Sequence, residues 1–169
     1  MEKFCYYNTL TTPLGEFLLI SDENKLLRAE FTTVEDALKL YANLYYDDNL
    51  PILRQAIAEV KAYFAGTLRK FTVSYRLETT EFRRRVWTEL VNIPYGQTIS
   101  YQTLAGLVGN PKASRAVGQA NHHNPLTIII PCHRVIGKNG RLVGYGGGLD
   151  KKEWLLNWEA KCVREDNDT

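Results

Sequence analysis

Cysteine is scarce in this sequence, and its pattern excludes several kinds of protein. Three cysteines stand far apart in the 169-residue chain, at positions 5, 132 and 162. They form neither a paired disulfide framework nor the C-x-x-C spacing of a structural metal site. An odd number of thiols is typical of a reducing compartment. We therefore expect a cytoplasmic protein with free cysteines and no structural metal.

The sequence also lacks long apolar segments. No apolar run approaches the ~20 residues that a membrane-spanning helix requires. The N-terminal MEKFCYYNTL has no basic region followed by an apolar core, so we expect no secretory signal and no membrane partner. With 44% hydrophobic and 24% charged residues, the composition is that of an ordinary soluble globular protein.

Acidic residues are sparse in the second half of the chain. Residues 1–80 hold 9 Lys and Arg against 11 Asp and Glu, a net charge of −2. Residues 81–169 hold 12 against 8, a net of +4, which becomes +7 without the acidic tail from residue 165 onward. This asymmetry fits either an ordinary solvated basic surface or a half of the protein that faces a polyanion.

The hydrophobic pattern predicts an α/β (α+β) protein of two domains, 1–79 and 80–169. The first would be a small antiparallel sheet with helices. Its predicted strands are FCYYNTL, EFLLIS, LLRAEF and KFTVSYRL, and its predicted helices are VEDALKLYANLYY and PILRQAIAEVKAYFAGTL. The boundary is placed near residues 78–80, where charge and pattern both change.

The second half is predicted to be mostly helical and winged-helix-like. A helix over TEFRRRVWTELVNI precedes SYQTLAGLVG and KASRAVGQAN, two short helices joined by a tight turn that contains glycine. This arrangement is typical of a helix-turn-helix. IIIPCHRVI is predicted to be a buried strand or strand-like segment ending at Pro131. KKEWLLNWEAKCV is predicted to be a final amphipathic helix, and residues 165–169 a frayed acidic tail.

Cys132 stands at the end of an apolar run and is followed at once by a base and a cation, His133 and Arg134. A thiol attacks only as thiolate, and burial alone would disfavour that form, so a base must take its proton. Adjacent side chains rarely face each other, which makes a bridging water to His133 the better geometry. A neutral imidazole also needs an orienting acceptor, for which Glu159 and Glu153 are both candidates. The alternative is an inert buried thiol.

These residues and their neighbours resemble a known family. IPYGQTISYQTLA, RAVG, PCHRV and GYGGGLDKKEWLLNWE, in this order and spacing, are similar to the methylated-DNA–protein-cysteine methyltransferases, the O6-alkylguanine-DNA alkyltransferases. The likeness runs from about residue 82 to residue 159, whereas the N-terminal half matches only in outline. It implies irreversible, single-turnover transfer of an alkyl group from guanine O6, or thymine O4, in double-stranded DNA to Cys132. No cofactor is implied, and we expect a monomer.

The resemblance also assigns catalytic roles. Cys132 would accept the alkyl group, His133 would act as the base through water, and Glu159 would orient the imidazole. Asn124 would brace the segment that carries the thiol. Taken without the resemblance, Asn124 is equally a turn residue that precedes a proline.

Further residues are expected to contact DNA and the damaged base. By the same resemblance, Tyr101 helps to rotate the nucleotide, and Arg115 fills the gap that the extruded base leaves. Without it, Tyr101 is equally a core aromatic and Arg115 a phosphate contact. A helix that enters the narrow minor groove needs small residues, which here are Ala113, Ser114 and Gly118.

The base pocket is expected to include Tyr145 and the backbone carbonyls of Cys132 and Val135, which would bind the exocyclic amine. Gly146 stands where family members often carry serine. The missing side chain suggests a wider pocket for larger alkyl groups.

Three other functions are alternatives to alkyl transfer. A non-catalytic lesion binder would share the scaffold but replace the cysteine, which this chain retains. A winged-helix transcription regulator would prefer a duplex sequence rather than a lesion. A Cys–His hydrolase would normally take its base from a distant segment of the chain.

Overall fold

The computed structural model describes residues 4–145 and 148–168. Its backbone divides into two compact units, residues 1–77 with 125–129, and residues 78–124 with 130–169. The mixed α/β architecture predicted from the sequence is confirmed, with a sheet in the first unit and helices in the second.

The first unit is a four-stranded sheet of order β3-β2-β1-β4 with two helices. β1 and β2 pair antiparallel, as do β2 and β3, whereas β4 runs parallel to β1. The element bounds are β1 Cys5–Thr12, β2 Gly15–Ser21, β3 Leu26–Phe31, α1 Val34–Leu40, β4 Leu44–Tyr46 and α2 Pro51–Phe64.

The central strand β2 is buried on both faces of the sheet. Leu18 and Ile20 form one hydrophobic cluster with Ala37 of α1. Because side chains alternate along a strand, Phe17 and Leu19 point to the opposite face, and α2 packs against β1 and β2. This two-sided burial explains why EFLLIS is apolar at consecutive positions.

Two predictions for the first unit were wrong. The helix expected over residues 34–46 ends at Leu40, and Leu44 then enters the sheet and joins its hydrophobic cluster. The strand expected over KFTVSYRL is reduced to a single bridge between Tyr75 and Leu26. A buried carboxylate, that of Glu59, accepts the backbone N–H groups that a strand ladder would need.

Within the described residues, the second unit carries four α-helices and a two-stranded parallel sheet, β5 with β6. Their bounds are α3 Glu81–Val91, β5 Ile99–Ser100, α4 Tyr101–Leu107, α5 Ser114–His122, β6 Val135–Ile136 and α6 Leu149–Asn167. α4 and α5 are the predicted helix-turn-helix pair. The tail expected from residue 165 is instead helical through Asn167.

Local signals explain where these helices begin. Thr80 caps α3 by accepting the N–H of Arg83, and Ser100 caps α4 in the same way. Gly109 has φ +90°, the left-handed backbone that glycine adopts at little cost in the turn before α5. The indole N–H of Trp87 donates to the carbonyl of Ala120 at 2.7 Å and links α3 to α5.

The connection after α2 depends on Glu59. Its carboxylate accepts the backbone N–H groups of Thr72 at 2.7 Å and Val73 at 3.1 Å, and also the amide of Gln55 at 2.8 Å. We expect Glu59→Ala to lower the free energy of unfolding by about 3 kcal/mol, because it leaves these buried N–H groups without an acceptor. Urea denaturation measures this change. Glu23→Ala, at an exposed turn residue, is the control and should change it by about 0.5 kcal/mol or less. Equal unfolding midpoints for the two variants would contradict this role.

Candidate active site

Pro131 determines how the backbone reaches Cys132. Its φ of −79° and ψ of 63° are those of the central residue of an inverse γ-turn. The N–H of Cys132 donates back to the carbonyl of Ile130 at 2.8 Å. Proline fits this turn because its ring fixes φ near the required value. Cys132 therefore begins a 3₁₀ turn, Cys132–Arg134, rather than continuing a strand.

The strand predicted over IIIPCHRVI is thus wrong. Ile128 has φ +72°, a conformation that β-branched residues rarely adopt, so the chain turns within the apolar run. Only Val135 and Ile136 pair as a strand, with β5. The run is nevertheless buried as expected, as shown by Ile128, Ile129 and Ile130.

Two asparagines near the end of α5 hold the cysteine segment from its side. The Asn124 amide donates to the carbonyl of Ile130 at 2.8 Å, and the Asn121 amide donates to the carbonyl of Cys132 at 3.2 Å. Both are buried. The sequence indicated Asn124 in such a place but did not single out Asn121.

Glu159 is the central acceptor of the site and is 1% exposed. One carboxylate oxygen lies 2.6 Å from Nε2 of His133. Arg134 donates to both oxygens, from Nε at 2.8 Å and Nη2 at 3.1 Å, and the backbone N–H of Gly96 donates at 3.1 Å. Glu153, the alternative left open by the sequence, is exposed on the same helix.

The charges around Glu159 favour a carboxylate beside a neutral imidazole. Burial would raise the pKa of Glu159, but hydrogen bonds from His133 and Arg134, together with the charge of Arg134, hold it well below its usual range. Burial lowers the pKa of His133, against the opposing effect of Glu159. With Nε2 facing Glu159, the other ring nitrogen, Nδ1, is buried and has no hydrogen-bond partner among residues 4–145 and 148–168. It is therefore available as a base.

The surroundings of Cys132 favour the protonated form of its thiol. Burial raises its pKa, and this outweighs the lowering effects of a hydrogen bond with Asn124, the charge of Lys152 and nearby backbone N–H groups. Reaction at this sulfur consequently requires a group that accepts its proton.

Lys152 is a buried cation that the sequence analysis missed. It is 0% exposed, and its Nζ donates to the carbonyls of Val135 at 2.5 Å and Val143 at 3.0 Å. Burial lowers its pKa to about 8, with the charge of Cys132 opposing the shift. One signal could have revealed it: Lys152 is three and seven residues before Leu155 and Glu159, on one face of α6.

A cavity of about 680 Å³ lies between α5, Tyr101 and the chain at residues 143–144. From α5 it is lined by Ser114, Arg115 and Gly118, three of the residues predicted to contact DNA. The fourth, Ala113, is the N-cap of the same helix. The structure thus brings the predicted DNA-contacting residues together along one helix.

Tyr101 links this cavity with the cysteine. It lines the cavity, and its hydroxyl donates to the carbonyl of Val143 at 3.0 Å. Burial raises its pKa, Asn121 opposes the rise through a hydrogen bond, and the charge of Cys132 adds to it. Tyr101 is therefore close to the residues that surround the sulfur.

Tyr145 is 8% exposed, and burial, with the charges of Cys132 and Glu159, raises its pKa well above the usual value. Its hydroxyl has no hydrogen-bond partner within the described part of the chain. Gly146, the position expected to widen the pocket, lies outside the described residues.

The described residues contain no group of three or more histidine, cysteine or acidic side chains that could hold a metal ion. His122 and His123 end α5, as its last residue and its C-cap. In the same described ranges, no helix combines the length and the apolar character needed to cross a membrane.

Comparison with family models finds similarity over both halves of the chain. Residues 81–161 match the model described as "6-O-methylguanine DNA methyltransferase, DNA binding domain". Residues 5–77 match "6-O-methylguanine DNA methyltransferase, ribonuclease-like domain".

Individual relatives agree with the family models. The methylated-DNA–protein-cysteine methyltransferase of Methanosarcina acetivorans is 46% identical over 93% of this chain and 99% of its own. The constitutive enzyme of that name from Bacillus subtilis is 41% identical over 95% and 98%. The crystal structure of Mycobacterium tuberculosis OGT in complex with DNA is similar with a TM-score of 0.84 and 40% identity, covering 93% of this chain and 94% of that one.

The lowered pKa of Glu159 predicts how stability depends on pH. Because the folded pKa is below the unfolded value, its contribution is present above pH ~4.3 and is lost as the pH falls further. Between pH 5 and 3 the protein should lose about 1.5 kcal/mol of unfolding free energy that Glu159→Gln does not lose. Urea denaturation at each pH tests this difference, with Glu153→Gln as the control. Parallel losses in Glu159→Gln and the unmodified protein would contradict it.

Proposed function

The chain belongs to the 6-O-methylguanine DNA methyltransferase family, and from that premise we propose that it is a DNA repair protein. It transfers a methyl or larger alkyl group from O6 of guanine, and from O4 of thymine, to Cys132. One observation carries the proposal: a buried thiol stands beside a histidine whose Nε2 is 2.6 Å from a buried carboxylate.

The transfer follows from the positions of these groups. Nδ1 of His133 takes the thiol proton through a bridging water, and Glu159 stabilises the imidazolium that forms. The sulfur attacks the alkyl carbon, a C–S bond forms, and the C–O6 bond breaks. Its electron pair stays with the purine, which takes up a proton at N1 and becomes guanine.

Lys152 and Asn124 stabilise the thiolate as it forms. The charge of Lys152 and the hydrogen bond of Asn124 both lower the pKa of Cys132, although burial prevails at rest. In a site with little water such interactions are stronger than in solvent. The lowered pKa of Lys152, about 8, means that this support declines as the pH rises above that value.

The product explains why each molecule reacts once. Alkylated Cys132 is a thioether, which has no electrophilic carbonyl at which water could regenerate the thiol. The protein is therefore consumed stoichiometrically and needs no cofactor.

A target base must leave the stack to reach this sulfur, at a cost of roughly a few kcal/mol. We propose that α5 enters the minor groove, where Ala113, Ser114 and Gly118 permit close approach. Arg115 occupies the space of the extruded base, and Tyr101 assists its rotation. The position of Arg115 and Tyr101 on one cavity supports these roles.

The extruded base would lie against Tyr101 and Tyr145, near the carbonyls of Cys132 and Val135. Gly146 lies outside the described residues and is assigned to the pocket on the resemblance alone. We further propose that the parts 1–79 and 80–169 act as two domains of a cytoplasmic monomer.

Incubation with duplex DNA containing O6-methylguanine tests the reaction directly. Intact-mass spectrometry should show the gain of one methylene per molecule and no further turnover. Cys132→Ser should gain nothing, because the acceptor sulfur is lost, while Cys162→Ser, also a buried cysteine, should react normally. Repeated turnover, or an unchanged gain in Cys132→Ser, would contradict the proposal. Binding without any gain in the unmodified protein would instead indicate a lesion-binding protein.

Arg115→Ala should slow repair in duplex DNA by about tenfold or more, because the void in the stack is no longer filled. Its effect on free O6-methylguanine should be small, since no base is extruded there. The second-order rate constants for both substrates measure this. Arg164→Ala, at an exposed arginine in the last turn of α6, is the control. Similar losses on duplex and free base would exclude the role in base replacement.

A further inference from the structure

Asn121 is a buried amide whose nitrogen is hydrogen-bonded and whose oxygen has no role in the reaction proposed above. It lies on α5 and is 2% exposed. Its Nδ2 donates to the carbonyl of Cys132 at 3.2 Å. Its Oδ1 is buried and has no hydrogen-bond partner in the described ranges 4–145 and 148–168. A buried acceptor without a partner is costly and therefore requires an explanation.

The orientation of this amide is fixed by its partner. The carbonyl of Cys132 can only accept a hydrogen bond, so the NH₂ group must face it. Turning the amide over would bring two acceptors together and leave two donors without the carbonyl. The lack of a partner for Oδ1 is thus a property of the site and not of how the amide is oriented.

Asn121 is adjacent both to residues that line the cavity and to the segment that carries the sulfur. It is three residues after Gly118 and one before His122, and both line the cavity beside α5. It hydrogen-bonds Tyr101, which lines the same cavity. On its other side it holds the backbone of Cys132. Asn121 is therefore part of the layer between the cavity and the thiol.

The hydrogen-bond donors of an alkylated guanine are few. Alkylation at O6 removes the hydrogen at N1, so the exocyclic 2-amino group supplies the donors of the base, two N–H bonds on one nitrogen. Of the two carbonyls near the sulfur, that of Val135 already accepts the ammonium of Lys152 at 2.5 Å. The carbonyl of Cys132 accepts both the Asn121 amide and the backbone N–H of Val135, so its two lone pairs are engaged. Oδ1 of Asn121 keeps both of its own.

We propose that Asn121 is a specificity-determining residue of the base pocket, whose Oδ1 accepts an N–H of the 2-amino group. The inference rests on the proposed alkyl transfer to Cys132 and names the side chain that recognises this group of guanine. The same side chain holds the Cys132 carbonyl through Nδ2.

Two substrates separate this role from a structural one. O6-methylguanine carries the 2-amino group, and O6-methylhypoxanthine differs from it only in lacking that group. Second-order rate constants for methyl transfer from each, in the same duplex, are compared for the unmodified protein, Asn121→Leu and Asn121→Ala. Leucine matches the amide in size, and alanine favours the helix, so at least one variant is expected to fold.

In both variants the rate on O6-methylguanine should fall about tenfold relative to the rate on O6-methylhypoxanthine, the loss expected for one buried hydrogen bond. Asn167→Leu, the same chemical change at an exposed position of α6, should leave the ratio of the two rates unchanged. Thermal unfolding of each variant reports its stability independently of the ratio.

Each outcome bears on one claim. A ratio that falls in the Asn121 variants supports the inference. Equal losses on both substrates mean that Asn121 only holds the Cys132 backbone, and no loss on either means that the base does not use it; both overturn the inference while the alkyl transfer stands. Absence of methyl transfer by the unmodified protein would instead overturn the proposed function.

Discussion

The carboxylate of Glu159 is the group on which the rest of the site depends. It is buried between a permanent cation, Arg134, and a histidine, and it also accepts the N–H of Gly96. Arg134 is needed because an unpaired carboxylate in this environment would take up a proton. Once ionised, Glu159 fixes the ring of His133 so that Nδ1 is left for the thiol. In the reaction proposed above, proton transfer from Cys132 is thereby organised by a residue of α6, far away in the chain.

The site combines strong polar contacts with buried polar atoms that have no hydrogen-bond partner within the described residues. Asn124, Asn121 and Lys152 hold the backbone on both sides of the sulfur. In contrast, Nδ1 of His133 and the Tyr145 hydroxyl are buried without partners in the described part of the chain. Such atoms lower the stability of the folded protein. Several such atoms around one thiol are expected if a bound substrate supplies their hydrogen-bond partners.

The sequence was most informative where local chemistry decides the structure. The glycine-containing turn between α4 and α5, for example, indicated the helix-turn-helix. The sequence was misleading where a residue distant in the chain takes up the hydrogen bonds of a segment. The N–H groups of residues 72 and 73 are taken by Glu59, a contact across 13 or 14 residues, and no periodicity within KFTVSYRL reveals it. The turn at Ile128 likewise runs against the preference of a β-branched residue.

For the site, PCHRV and its neighbours suggested a nucleophile and its base, but spacing could not choose Glu159 over Glu153. Lys152 and Asn121 were missed because a lysine or asparagine in an amphipathic helix is usually solvated. Only their burial in the folded chain shows that they face Cys132. A polar residue on an otherwise apolar helix face is therefore the sequence feature that would have indicated these two residues.

The most direct test of the central claim is the protonation state of His133, measured by ¹⁵N NMR of the imidazole at neutral pH. A neutral ring with its hydrogen on Nε2 and a bare Nδ1 is the predicted result, since Glu159 accepts from Nε2 and burial disfavours the cation. A ring protonated at Nδ1, whether neutral or as imidazolium, would contradict it, because His133 could then not accept the thiol proton.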